Sequence, residues 1–238
     1  MRHPRRRVVA WAAALALLPG PAPAIDGGAP AGRSRVSQAA VGIGTLVRGD
    51  DSVGLNRCSG VLIAPDLVLT AGHCVKDDPV ASAVVFYDGA RPTGRAYRVA
   101  ALARYDVVAD DLPSGYAGLA TLALDTAILR LATPVRGRRP LRPDSSVVPR
   151  DLVVTGAGLS REGVGTLKTA RLEPVARSST GLLIAVARDA EVCTGDSGGP
   201  VVARGPRGPV VWGVASAVLT SRPPCGRIVV VAPAEPRL

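Results

Sequence analysis

Histidine is almost missing from this chain: among 238 residues there are only His3 and His73. A metal centre built on several imidazoles is therefore excluded, and no Cys-x-x-Cys spacing offers zinc a thiolate pair. Aromatic residues make up 3% of the chain. That leaves no row of rings on which bases could stack, and the densest basic run is the short "RGRR" at Arg136–Arg139. Binding of nucleic acid is not expected from such a pattern. Helical periodicity is scarce. Beyond residue 24 no apolar run is long enough to cross a bilayer as a helix.

What is present starts with a leader. Residues 1–7, "MRHPRRR", are basic, residues 8–18 are apolar, and "PGPAPA" ends in an Ala-x-Ala pattern at Ala22–Ala24. This is the three-part layout of a secretory signal peptide, with an apolar stretch too short for a membrane span. The expectation is a signal peptide over residues 1–24 and a secreted or periplasmic product, no longer tied to a membrane once the signal is gone. The whole chain has 29 Lys and Arg against 19 Asp and Glu. Loss of the four leader arginines leaves 25 basic residues and a net charge of about +6. That charge is interspersed with acids and reads as a solvated surface. Abundant Arg and Ala beside a short signal are associated with bacterial secretors. Four cysteines, an even count in an exported chain, suggest disulfides. Nearest-neighbour pairing gives Cys58–Cys74 and Cys193–Cys225.

Short runs rich in Val, Ile, Leu and Thr recur along the chain, split by Gly, Pro, Asp and Ser. "AVGIGTLV", "LVLTA", "SAVVFY", "LLIAVA" and "RIVVVA" are examples. That spacing predicts an all-β barrel or sandwich, in one large domain or two small ones. The Pro- and Arg-rich stretch 133–150 is the best candidate for a connection between two halves.

"EVCTGDSGGP", residues 191–200, surrounds one serine with three glycines. Glycine contributes nothing to a core, so its density here implies positive φ or very close approach. A serine beside bare peptide N–H groups suits a nucleophile next to its own oxyanion site. Once the leader leaves, His73 in "LTAGHCV" is the one imidazole that could take the Ser197 proton. Asp125 in "LALDTAILRL" is an acid among apolar residues. A buried carboxylate there needs a partner, and orienting His73 supplies one.

Together "CSGVLIAPDLVLTAGHC", "LDTAILRL", "VCTGDSGGPVV" and "VVWGVASA" resemble the trypsin/chymotrypsin family of serine endopeptidases. The order His73, Asp125, Ser197 is that family's order. The resemblance implies two six-stranded antiparallel β-barrels with the active site in the cleft between them. It divides the chain into an N-terminal barrel over 25–135 with His73 and Asp125, and a C-terminal barrel over 136–238 with Ser197 and the specificity pocket. It implies Ser197 as nucleophile, His73 as base then acid, Asp125 as orienter, and the Gly195 and Ser197 amides as oxyanion hole. It also implies that Cys193–Cys225 braces the pocket wall, and that a free amine at Ile25, exposed by signal cleavage, pairs with Asp196.

The same resemblance sets Glu191 at the pocket base, suggesting cleavage after Arg or Lys, with Val192 beside it. It aligns Val211 with a serine that hydrogen-bonds the triad aspartate, and Trp212 and Gly213 with the strand that pairs with substrate. No cofactor is expected; the expected partners are protein or peptide substrates of a monomer. Two rivals exist. "GDSGG" also fits the nucleophile elbow of α/β-hydrolases, but that fold needs a histidine after the serine and βα alternation, and neither is present. A catalytically weak or inactive homologue acting as a binding protein is the other.

Overall fold

The computed structural model describes residues 24–48, 52–104, 121–160, 163–221 and 223–235. The signal-peptide expectation for residues 1–23 therefore lies outside the described residues. In chain order come β1 (Ala29–Pro30), a one-turn helix α1 (Arg35–Ala39), β2 (Ala40–Arg48), β3 (Val53–Ala64), β4 (Leu67–Thr70), β5 (Ser82–Asp88), β6 (Arg91–Arg104) and β7 (Ala127–Leu131). Then follow β8 (Leu152–Gly156), β9 (Leu159–Ser160), β10 (Gly163–Val164), β11 (Lys168–Arg177), β12 (Leu183–Ala187), β13 (Val192–Cys193), β14 (Pro200–Gly205), β15 (Gly208–Leu219), β16 (Cys225–Gly226) and β17 (Ile228–Pro233).

Strands β2-β3-β4-β7-β6-β5 close one barrel, with β2 and β5 completing the ring. Strands β11-β12-β17-β15-β14-β8 close a second, because β8 also pairs with β11. Both are six-stranded and antiparallel, the fold class expected from the sequence. Period-two alternation explains why these segments are strands. In β7, Ala127, Leu129 and Leu131 are buried while Ile128 and Arg130 face out. Closing each sheet leaves no row of unpaired edge groups in its barrel.

The segment ahead of the first barrel does not stay with it: β1 pairs with β11 of the second, through Ala29 and Thr169. The connection after β7 is shared between the halves. Val135 and Leu141 pack into the first barrel's core, while Val147 packs against the second's. The first core also takes in Val202, Val211, Val214 and Ala232 from second-barrel strands. The seam between the barrels is thus a continuous packed surface, and loops from both converge on it.

Both expected disulfides are formed. Cys58–Cys74 ties β3 to the turn after β4, across 16 residues of sequence, and Cys193–Cys225 ties β13 to β16 across 32. Each closes a loop whose entropy in the unfolded chain corresponds to about 3 kcal/mol.

Candidate active site

Strand β4 runs into a 3-10 turn, Gly72–Cys74, that carries His73. Asp125 lies just before β7, and its carboxylate grips that turn twice. Oδ1 accepts the His73 main-chain N–H at 2.9 Å, and Oδ2 lies 2.8 Å from His73 Nδ1. A β-carbon at Gly72 would sit 3.1 Å from the same carboxylate, tight enough that any larger residue would push the carboxylate back by a few tenths of an ångström. Ser216 Oγ donates to Oδ2 as well, at 2.5 Å. Burial raises the Asp125 pKa, but the bonds and charge of His73 and the Ser216 hydroxyl outweigh it and hold the group below its ordinary value. An ionised Asp125 fixes the proton on His73 Nδ1 and leaves the Nε2 lone pair free as a base.

Ser197 sits in the tight turn between β13 and β14. Its carbonyl accepts the Ser59 N–H at 2.8 Å, and the next N–H, of Gly198, donates to Ala215 O at 2.7 Å. Gly198 has φ +79°, and a β-carbon there would lie 2.1 Å from Thr70 Oγ1. No other residue fits this place, where the turn is pressed onto the end of β4. Ser197 is thereby brought against the His73 turn, although among the described residues no hydrogen bond joins its hydroxyl to His73 Nε2. Such bonds are often long before substrate arrives.

The Gly195 and Ser197 amides have no acceptor among the described residues, so both can donate to an oxygen of a bound ligand. Gly195, at φ +94°, turns its carbonyl back to Ser59, whose Oγ donates to it at 3.0 Å and accepts the Ala157 N–H at 2.9 Å. Asp196 is fully buried. Its carboxylate accepts N–H groups from Ile25 at 2.9 Å, Cys193 at 2.8 Å and Gly158 at 3.0 Å. Burial still dominates and pushes its pKa up to about 6. A pocket of about 110 Å³ opens beside Ser197, between residues 192–194 and residues 215–218. A larger groove of about 430 Å³, along Leu69, Arg104 and Ile128, holds none of these groups. Cys58, His73 and Cys74 cluster closely, but the two sulfurs are joined to each other and offer no thiolate to a metal.

The trypsin family model matches residues 27–234. The chain belongs to the trypsin family. Among curated proteins it is 29% identical over 180 residues to trypsin iota of Drosophila melanogaster, covering 66% of this chain and 69% of that one. It is 31% identical over 187 residues to transmembrane protease serine 9 of Rattus norvegicus, covering 68% of this chain but 17% of that much longer protein.

Within the trypsin family frame three sequence expectations need correction. Val211 does not face Asp125; it is buried in the first core, and Ser216 is the residue that reaches the carboxylate. Trp212 is not a cleft residue. It lies at the β-bulge where β14 residues Val201 and Val202 face Gly213 and Val211. The bulge sends its indole into the second core, fully buried, with Nε1 donating to Val147 O at 3.1 Å. Gly213 is inside the barrel wall, where a β-carbon would meet Ala232 O at 2.2 Å. Glu191 does not line the pocket. Its main chain bridges to Asp26 and its side chain is exposed, while Val192 is buried on the lining. Sequence reasoning missed Ser216 and Ser59. The available signal was a hydroxyl in an otherwise apolar strand, which needs a partner when buried.

Proposed function

We propose that this chain is a secreted serine endopeptidase that hydrolyses peptide bonds of proteins or peptides through an acyl-enzyme. The observation that carries this reading is the double grip of Asp125 on His73, through ring and main chain. It leaves one nitrogen basic and pointed away from the acid. Ser197 attacks the scissile carbonyl as His73 Nε2 takes its proton. The same imidazolium then protonates the leaving amine, and water repeats the sequence to free the acid. The amides of Gly195 and Ser197 receive the negative oxygen. Asp125 stabilises the charged ring without taking its proton.

In this reading residues 1–24 are removed as a signal, Ile25 becomes the N-terminus, and its ammonium replaces the amide that now faces Asp196. The two barrels, 25–135 and 136–238, supply His73 with Asp125 and Ser197 respectively. Among the described residues no helix is long and apolar enough to cross a membrane. The enzyme acts as a monomer without a cofactor.

The test is labelling of the processed chain with a fluorophosphonate. Modification confined to Ser197, abolished by His73→Ala and accompanied by peptide hydrolysis, is the expected result. A folded chain that is neither labelled nor hydrolytic would instead be a binding homologue.

A further inference from the structure

We infer that the pocket beside Ser197 accepts a small aliphatic side chain, Ala or Val, on the acyl side of the cleaved bond (the P1 position), and rejects Arg, Lys and aromatic residues. The inference rests on the serine-endopeptidase reading and names its substrate class. Size comes first. The pocket is about 110 Å³. An engineered cavity of roughly 150 Å³ accommodates benzene; this smaller space matches the methyl and isopropyl groups of Ala and Val better than an aromatic ring or the longer arginine side chain.

Chemistry points the same way. Among the described residues no charged side chain lines the pocket. Val192, Ala217 and Val218 supply its apolar surface. Its polar side chains other than Ser197 are already engaged: Ser216 Oγ donates to Asp125, and Thr194 Oγ1 to Pro224 O at 3.3 Å. Cys193 is closed by its disulfide. A guanidinium or ammonium placed here would give up part of its water and find no anion among the lining residues, an unfavourable exchange for a charge.

Glu191, the acid nearest in sequence, is directed elsewhere by its backbone. Its N–H donates to Asp26 O at 2.8 Å in an antiparallel bridge, and its carboxylate stays in solvent. On the next residue, alternation turns Val192 inward, where it is 2% exposed and packs with the second core. Val218, on the opposite wall, is part-buried against that core. Val192 and Val218 are therefore the specificity-determining residues.

The experiment uses the processed chain and fluorogenic tetrapeptides that differ only at P1. Active enzyme is first counted with a fluorophosphonate, a reagent that has no P1 side chain. The expected kcat/KM for Ala and Val exceeds that for Arg, Lys and Phe by roughly 100-fold, the scale on which differences in pocket fit discriminate. Labelled enzyme that prefers Arg or Lys overturns the pocket assignment while the serine-endopeptidase reading stands. Absence of labelling overturns both. Val218→Gly should raise the relative rate for Leu and Phe about tenfold without helping Arg, and a gain for Arg would also count against the assignment. Should that variant fail to fold, inhibition of the unaltered chain by peptide boronates decides: the P1-Ala boronate should bind more tightly than the P1-Arg boronate, and the reverse order sinks the proposal.

Discussion

Removing the residue ahead of Ile25 should reverse how stability depends on pH between pH 4 and pH 7. With Ala24 attached, the group 2.9 Å from the buried Asp196 carboxylate is a neutral amide. Burial then lifts Asp196 from an ordinary 3.8 to about 6. The folded chain holds a proton that the unfolded chain has released, so stability falls as pH rises through this window. A displacement of that size corresponds to roughly 3 kcal/mol. In a chain that starts at Ile25 the same nitrogen is an ammonium. It should offset the cost of burial and pull Asp196 below its ordinary value, giving stability above pH 4 that is lost only on acidification. The amine, raised by its partner, keeps its contribution up to its unfolded pKa near 8 and loses it at higher pH. Both chains should carry Ser197→Ala to prevent self-digestion. Urea unfolding can be followed by the fluorescence of Trp212, the one tryptophan beyond the leader. The difference in unfolding free energy should grow by roughly 3 kcal/mol from pH 4 to pH 7, in favour of the Ile25 start. A difference that stays constant across that range would refute the coupling of this nitrogen to Asp196.

Two further predictions concern hydroxyls. Ser59→Ala leaves the Gly195 carbonyl and the Ala157 N–H without their partner. It should lower kcat by about tenfold to a hundredfold with little change in KM, and weaken aldehyde inhibitors in parallel; Ser59→Thr, which keeps the hydroxyl, should recover part of the loss. A rise in KM alone would assign Ser59 to substrate binding instead. Ser216→Ala removes one donor from Asp125. The acid's lowered pKa gives stability present above its unfolded value near 3.9 and lost as pH falls, so this variant should lose about 1.5–3 kcal/mol at pH 7 and less at pH 3. Equal losses at both pH values would show that the bond does not favour the ionised carboxylate.

The strands and the chemical groups were legible because their demands are local. Alternation in "TAILRL" shows in five residues, and the glycine beside Ser197 follows from one tight contact with Thr70. What could not be read depends on register. "VWG" imitates an aromatic-glycine pair on a substrate-facing strand, yet the bulge at Trp212 turns that ring into the barrel, and the hydroxyl expected at Val211 comes five residues after it, at Ser216. The direction of Glu191 is set by pairing with Asp26, more than 160 residues away in the chain, and no pattern around Glu191 encodes it. The N-terminal strand likewise joins the barrel that is distant in sequence.

Ser59 belongs to the first barrel, yet through its N–H and hydroxyl it holds Ser197, Gly195 and Ala157 of the second. The two halves are stitched together at the atoms to which the proposed function assigns recognition of a transition state. Sliding one half against the other by an ångström would therefore abolish the proposed activity well before either half lost its own strands. A force or a mutation acting on the seam would act as an off switch, with the architecture still intact behind it.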